Sequence, residues 1–443
     1  MSNSAANLSD YGMPDASVPD LAMVRVGGTG VPAPLPVPEP GLTPAELVAR
    51  ARNMKSVLRA EAAAADASGA YSAEMHQRFR KAGFYRIMQP RLFGGYEFDP
   101  VTFYRVMLEV STGHPGTGWC LTLGASHAYL IGCHWPLQAQ VELFGRKGDF
   151  IAPHRPMPSG RAVPVEGGFR VTGLWRYCSG IPHATHLVGG AWLERSDGPP
   201  KVVQLVLPRD KVTVLDDWGG DQTIGMKGSG SNSVSAEDVF VPAHHVVEIP
   251  ALAARPDGME AGTEGTRLHG NPMYLGRLMA PYHASLVVPV IGAARAALEE
   301  YESIVRNQAI FTDPTVLRAD HGDFQRHLGQ ALAWTDAAEA VLIRGLEQYM
   351  ELCRRWAADR TPITVEENLR LWLLLQQGGR MACDAVERLF QTAGSTATRQ
   401  GATLLGYFHD AQMYRGHMSA QYETFSGYLG RAHLGRPTGF QNL

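Results

Sequence analysis

The sequence predicts an N-terminal α-helical domain, a central antiparallel β domain and a C-terminal four-helix bundle. Three observations predict this order. Apolar residues recur at helical spacing up to about residue 148. Short β-branched segments bounded by Gly, Pro and Asp follow, and long stretches of helical spacing run from about residue 271 onward. A chain of 443 residues also exceeds what one hydrophobic core usually serves.

Residues 1–42 are rich in Pro, Gly, Ser and Ala and end in VPAPLPVPEPG. They offer too little apolar surface to order themselves, so a flexible arm is expected; the alternative is a strand docked on a neighbouring subunit. Residues 43–148 read as the first helical domain. Thr43 is an N-cap, Pro44 takes the first helical position, and Glu46 lies in the first turn. A second cap opens YSAEMHQRFRKAGF, which stops at Gly83, and a Gly94-Gly95 turn follows. Further helices are expected over Pro100–Glu109, Trp119–Ile131 and Leu137–Phe144. In residues 149–250, GGFRVTGLWRYCSG, HLVGGAWLE, KVVQLVLPRD and VSAEDVFVPAHHVVEI read as antiparallel strands of a small sheet or barrel. Residues 251–270 read as a linker. Residues 271–443 carry long apolar-periodic segments, and four or more long helices imply a bundle.

Composition narrows the function. Charged residues make up 19% and the net charge is -3, which gives no electrostatic footprint for nucleic acid or a membrane surface. No apolar run approaches the roughly 20 residues of a bilayer span. The N-terminus lacks the basic start and apolar core of a secretory signal. The five cysteines are scattered, odd in number and without a CxxC pair, which points to free thiols in a reducing cytoplasm and away from structural zinc. No metal site is expected: HExxH is missing, and His244-His245, read as adjacent residues of a strand, would face opposite ways. No dinucleotide fingerprint, P-loop or GxSxG elbow is present.

Three segments carry a family resemblance: RKAGFYRIMQPRLFGGYEF, GLWRYCSGIPHATHLVGGAW and WGGDQTIGMKGSGSNSVSAEDVFVP. They resemble motifs of the acyl-CoA dehydrogenase superfamily, and the likeness spans about residues 45–435. The second resembles the branch that hydroxylates aromatic compounds, such as the oxygenase components of 4-hydroxyphenylacetate and secosteroid hydroxylases. The motif positions there are Gly173, Trp175, Tyr177, Ser179, Gly180, His183 and Ala184. The most discriminating stretch is GYFHDAQMYRGHMSAQYE. Aligned on Asp410, the eighth following position is Met418, where dehydrogenases of this fold carry the catalytic Glu. The seventh is His417, where the hydroxylating branch carries a catalytic His. Tyr422-Glu423-Thr424 comes more than a helical turn too late, and His409 stands in place of the usual Arg. A dehydrogenase needs a carboxylate base to remove an α-proton from a thioester. A monooxygenase needs a dry pocket and a group that handles a phenol or peroxide proton, which His suits.

The resemblance therefore implies an acyl-CoA dehydrogenase-like fold and a two-component flavin-dependent monooxygenase. A separate NAD(P)H-dependent flavin reductase would supply reduced flavin (FMNH2 or FADH2). With O2, a flavin C4a-hydroperoxide would hydroxylate a phenolic or polycyclic aromatic substrate. A cytoplasmic homotetramer is implied as well. His417, His127 and Ser179 are the implied catalytic residues, with His127 holding a phenol as phenolate. Trp119 lies eight residues before His127, so one helix face would carry both. Trp119, Trp175, Ser179, Gly180 and Ser229 are implied on the cofactor. Arg388, Gln391, Gly394 and Ser395 match the segment that completes a neighbouring subunit's flavin site. His127, His154, Tyr274 and Leu275 are implied on the substrate. Leu275 replaces an Arg that contacts a substrate carboxylate in the hydroxyphenylacetate enzymes, and Arg277 is displaced too far to replace it directly. This points away from small aromatic acids. Plainer readings make Trp119 a core residue, His154 a surface-loop residue and the Gly228–Ser231 segment a hairpin turn. Thioester desaturation, N- or S-oxygenation and a non-catalytic scaffold are the alternative functions.

Overall fold

The computed structural model describes residues 33–145, 149–248, 261–276 and 279–438. Residues 1–32 of the expected arm, 251–260 of the expected linker, and Arg277 lie outside the described residues.

The chain opens with α1 (Pro44–Asn53), α2 (Lys55–Ser68) and α3 (Ala73–Ala82). Thr43 and Glu46 close a reciprocal capping box on α1, and Ser72 caps α3. Gly83 ends α3 with φ 85°, a left-handed conformation that suits glycine. Next come α4 (Pro100–Gly113), α5 (Pro115–Ala125), α6 (His127–His134) and α7 (Leu137–Phe144). The helix expected over Trp119–Ile131 is thus two helices, broken at Ser126. The break follows from a competing hydrogen bond: the Ala152 amide donates to the Gly124 carbonyl at 3.0 Å.

A seven-stranded sheet follows, with strands β1 (His154–Val165), β2 (Gly168–Trp175), β3 (His186–Leu193), β4 (Lys201–Pro208), β5 (Thr213–Val214), β6 (Val234–Pro242) and β7 (Val246–Val247). Their spatial order is β5-β6-β2-β1-β3-β4-β7. The purely antiparallel expectation needs correction, because β1 and β3 pair in parallel. β2 reverses the chain against β1, and the segment after it carries the chain to the other edge of β1. β3 therefore enters in the direction of β1. Side-chain alternation records which face is buried but not which neighbour a strand meets.

Trp175 sits in the core of this sheet. Its indole fills a slot made by Gly160, Gly173 and Gly189, where an added Cβ would meet the ring at 2.5–2.8 Å. Its Nε1–H donates to the Gly190 carbonyl at 2.9 Å.

The C-terminal part holds α8 (Glu264–His269), α9 (Met279–Asn307), α10 (Gly322–Asp359), α11 (Val365–Thr392), α12 (Thr403–Arg415) and α13 (Tyr422–His433). Helices α9 to α12 pack as a bundle, and α9 also packs on α4 and α5. This joins the two helical regions through one continuous apolar core. Among the described residues, no helix is long and apolar enough to cross a membrane. All five cysteines are free and buried.

Candidate active site

The loop after β2, helices α5 and α6, the start of β1, the start of α9 and the segment after α12 bring polar side chains together. On α5, Trp119 is buried and its Nε1–H donates to Ser179 Oγ at 3.1 Å. Ser179 Oγ lies 2.7 Å from Ser231 Oγ, and Ser231 Oγ lies 2.7 Å from Ser229 Oγ. The result is a buried string of one indole and three hydroxyls. Gly180 makes the turn possible: its φ is 90°, and its amide reaches the Ser229 and Gly230 carbonyls.

His417 stands beside this string, its ring centroid 6.2 Å from that of Trp119. It is not on a helix. It follows α12 and caps a 3₁₀ turn over Met418–Ala420, accepting the Ser419 N–H at Nδ1 (3.1 Å). A neutral ring then carries its proton on Nε2, as a donor. Burial, reinforced by the Arg155 cation, lowers its pKa to about 4. The neighbouring positions leave no carboxylate base here. Met418 is 52% exposed, and the Glu423 side chain is 92% exposed.

A cavity lies alongside, lined by Met88, Tyr104, Ser126, His127, His154 and Tyr282 among others. His127 Nδ1 lies 2.7 Å from the Ala152 carbonyl and must donate to it, which leaves Nε2 with its lone pair. Burial lowers the pKa of His127 to about 4, against weaker raising contacts from the Ala152 and Leu123 carbonyls. His154, the first residue of β1, is buried and not in a surface loop. Its ring packs edge-on against His127 at 5.3 Å, and its Nε2 bonds Gln204 Oε1 at 3.0 Å. Burial and the adjacent His127 bring its pKa to about 3.

Several buried polar atoms on this surface have no hydrogen-bond partner among the described residues: Thr122 Oγ1, Ser126 Oγ and His154 Nδ1. Trp119, Thr122 and Ser126 follow helical spacing and share one side of α5 and its C-cap. An unmet buried hydroxyl costs about 1–3 kcal/mol. Two such atoms line the cavity itself, a surface made to be completed by a polar ligand.

Other sequence expectations fare differently. Trp175 is enclosed by the sheet and offers no surface to a cofactor ring. Trp119 and His127 occupy two helices, so the shared-helix argument fails although both reach the same region. Tyr274 and Leu275 lie on a 3₁₀ turn over Pro272–Leu275, buried behind the cavity wall and outside its lining. The Tyr274 hydroxyl donates to the Met88 carbonyl at 3.2 Å. Arg388, Gln391, Gly394 and Ser395 lie at and just beyond the far end of α11. The His417 segment meets α11 at Gln376, whose Nε2 donates to the Ser419 carbonyl at 2.5 Å. Fifteen residues of helix separate Gln376 from Gln391, about 22 Å at 1.5 Å per residue. Within one chain these four residues do not join the site.

Two features escaped the sequence reading. Asp410 does more than set a register: it accepts the Met226 N–H at 2.5 Å, tying α12 to the loop that carries Ser229 and Ser231. Arg155 is half-buried and makes no hydrogen bond or ion pair among the described residues. Its charge acts on His417, His154, Cys178 and Tyr282, which sets it between the hydroxyl string and the cavity. A cation inside a strand of apparent loop composition (HRPMPSG) gives no sequence signal of this placement.

Residues 284–422 match the family model for the C-terminal domain of acyl-CoA dehydrogenases. The chain is 28% identical over 376 residues to a flavin-dependent monooxygenase oxygenase subunit of Rhodococcus jostii, covering 81% of this chain and 90% of that protein. It is 24% identical over 409 residues to the oxygenase component of an FADH2-dependent resorcinol hydroxylase of Rhizobium sp., covering 90% and 97%. The crystal structure of a 3-HSA hydroxylase from Rhodococcus sp. superposes with a TM-score of 0.78 at 24% identity, over 88% of this chain and 97% of that one.

Proposed function

We propose that the chain is a member of the acyl-CoA dehydrogenase superfamily and the oxygenase component of a two-component flavin-dependent monooxygenase acting on an aromatic hydroxyl compound. The observation that carries this reading is the Trp119–Ser179–Ser231 string set beside His417, with a cavity whose lining holds the Ser126 hydroxyl, His127 and His154 and no carboxylate. The residues fit a flavin. A planar ring edged with donors and acceptors would meet Ser179, the His417 Nε2–H and the free Thr122 hydroxyl. Reduced flavin, when bound, supplies the electrons that activate O2 for transfer of one oxygen atom.

The protein's own part is orientation, proton handling and exclusion of water. His127 stays neutral near pH 7, and its Nε2 accepts a hydrogen bond from a substrate hydroxyl, orienting it and raising electron density on the ring to be hydroxylated. His417 holds a proton on Nε2 as a hydrogen-bond donor, its orientation fixed by the Ser419 amide. Ser179 is aligned from one side by Trp119 and from the other by Ser231. His154 and Ser126 contribute further polar contacts to the cavity wall. A separate NAD(P)H-dependent reductase supplies the reduced flavin, and the enzyme works in the cytoplasm as a homotetramer. In that assembly Arg388, Gln391, Gly394 and Ser395 reach a neighbouring copy's flavin.

The test is a panel of phenols incubated with the chain, chemically reduced FMN or FAD, and oxygen-18 gas. One labelled oxygen atom in the product is expected. Hydrogen peroxide as the sole oxygen product across the panel, or bleaching of bound oxidised FAD by an acyl-CoA, overturns the reading.

A further inference from the structure

Away from the active site, three ligating side chains converge where α7 meets the end of the sheet. His244 Nε2 lies 2.8 Å and His245 Nε2 2.9 Å from the same atom, Glu142 Oε2. The two imidazole rings sit edge to face with centroids 4.7 Å apart. The three ligand atoms all lie within 4.8 Å of one another. The strand argument against this pair fails because Ala243–His245 is a 3₁₀ turn between β6 and β7. Such a turn rotates successive side chains by about 120°, not 180°, so both rings can reach one carboxylate.

We propose that Glu142, His244 and His245 form a binding site for a divalent transition-metal ion of the zinc class, which fastens α7 to the sheet. Two imidazoles and one carboxylate suit zinc, nickel or copper rather than magnesium or calcium, which prefer all-oxygen shells. Tetrahedral zinc with bonds of about 2.0–2.1 Å sets its ligand atoms about 3.3 Å apart. The two N–O separations need to open by about 0.5 Å, and the two nitrogens, within 4.8 Å of each other, to settle at about 3.3 Å, both by side-chain rotation. The ion would replace two N–H donors now crowded on a single oxygen; the proton of each neutral ring moves to Nδ1, which leaves Nε2 its lone pair for the metal.

The site is anchored from behind and open in front. The Trp135 indole donates to the His245 carbonyl at 3.0 Å, fixing the turn against the residue that precedes α7. The side chains of Glu142, His244 and His245 are 43%, 22% and 10% exposed, so an ion enters from solvent and keeps water at its fourth position. His245 Nδ1 is buried with no partner among the described residues, so one ligand lacks the supporting hydrogen bond metal-bound imidazoles usually have. That lowers affinity by about 10–100-fold against a fully supported site.

The experiment uses the full chain, free of any polyhistidine tag and stripped with chelator, at about pH 7.5. Zn2+ is titrated in competition with a chromogenic chelator, and melting is followed with and without the ion. One Zn2+ per chain is expected, with a higher melting temperature that excess Mg2+ does not reproduce. Glu142→Gln and His244→Ala should each weaken binding at least tenfold and abolish the thermal shift. Both replaced side chains face solvent, and unchanged melting without metal verifies their fold. Absence of saturable binding below about 0.1 mM Zn2+, or affinity left unchanged by either substitution, overturns the site.

Discussion

If His127 is the group that accepts the substrate hydroxyl, its behaviour on acidification is set by its surroundings. Its ring is 5% exposed, and its Nδ1–H is committed to the Ala152 carbonyl. Burial moves its pKa from 6.5 to about 4. That lowering corresponds to about 3 kcal/mol against the charged ring. At pH 6 an ordinary histidine is about three-quarters protonated, whereas His127 is about 1% protonated and keeps its Nε2 lone pair. The affinity of a phenolic substrate should therefore stay flat from pH 8 to about pH 5 and fall only as pH approaches 4. His154, with a pKa near 3, titrates lower still. The assay is the dissociation constant of a turned-over phenol, measured by equilibrium dialysis against the flavin-loaded chain from pH 3.5 to 8. His127→Asn should weaken binding by about 0.5–1.5 kcal/mol above pH 5, the worth of a hydrogen bond between neutral groups, and erase the acid limb. A wild-type limb centred near 6.5, or an unchanged dissociation constant in His127→Asn, would refute the assignment.

Four other outcomes follow from the same geometry. Ser179→Ala leaves the buried Trp119 N–H without its acceptor, at about 1–3 kcal/mol; calorimetry should show the loss, and a peroxide assay should show more H2O2 per substrate consumed. Arg155→Gln removes a cation that disfavours protonated His417, so NMR titration of that ring should find a pKa above 4 yet below 6.5, because burial is the larger cause. Asp410 is raised to about 7, first by burial and then by Asp66, so the folded state holds its proton more tightly than the unfolded chain. Its stabilising contribution is complete below pH 3.8 and fades as pH rises through 7; Asp410→Asn keeps an acceptor for the Met226 amide and should melt above wild type at pH 8. Trp175→Ala should cost about 3–5 kcal/mol in denaturant unfolding, and flavin affinity of the remaining folded protein should not change.

The fate of individual residues shows how far local sequence reaches. Thr43, Ser72 and Gly83 punctuate helices through bonds to residues three or four positions away, so their roles were readable in order along the chain. The Ser126 break in the expected helix was not, because its cause is a carbonyl captured by Ala152, twenty-eight positions from Gly124. Trp175 occupies a motif position that resemblance places near a flavin, yet glycines of three strands close over its ring. Arg155 is invisible beside three prolines and a glycine, since its importance lies in having no partner among the described residues where its charge acts on His417 and His154.

By itself the sequence determined the helix–sheet–helix order, the capping of its helices, and the replacement of a carboxylate by His417 and Met418 at one register. These depend on short-range periodicity and on residue identity. The parallel pairing of β1 with β3, the joining of Trp119 to Ser179 and Ser231, and the convergence of His244 and His245 on Glu142 were decided only by the tertiary structure. The physical reason is range: each joins groups from separate elements, and hydrogen-bond direction and burial exist only once those elements pack.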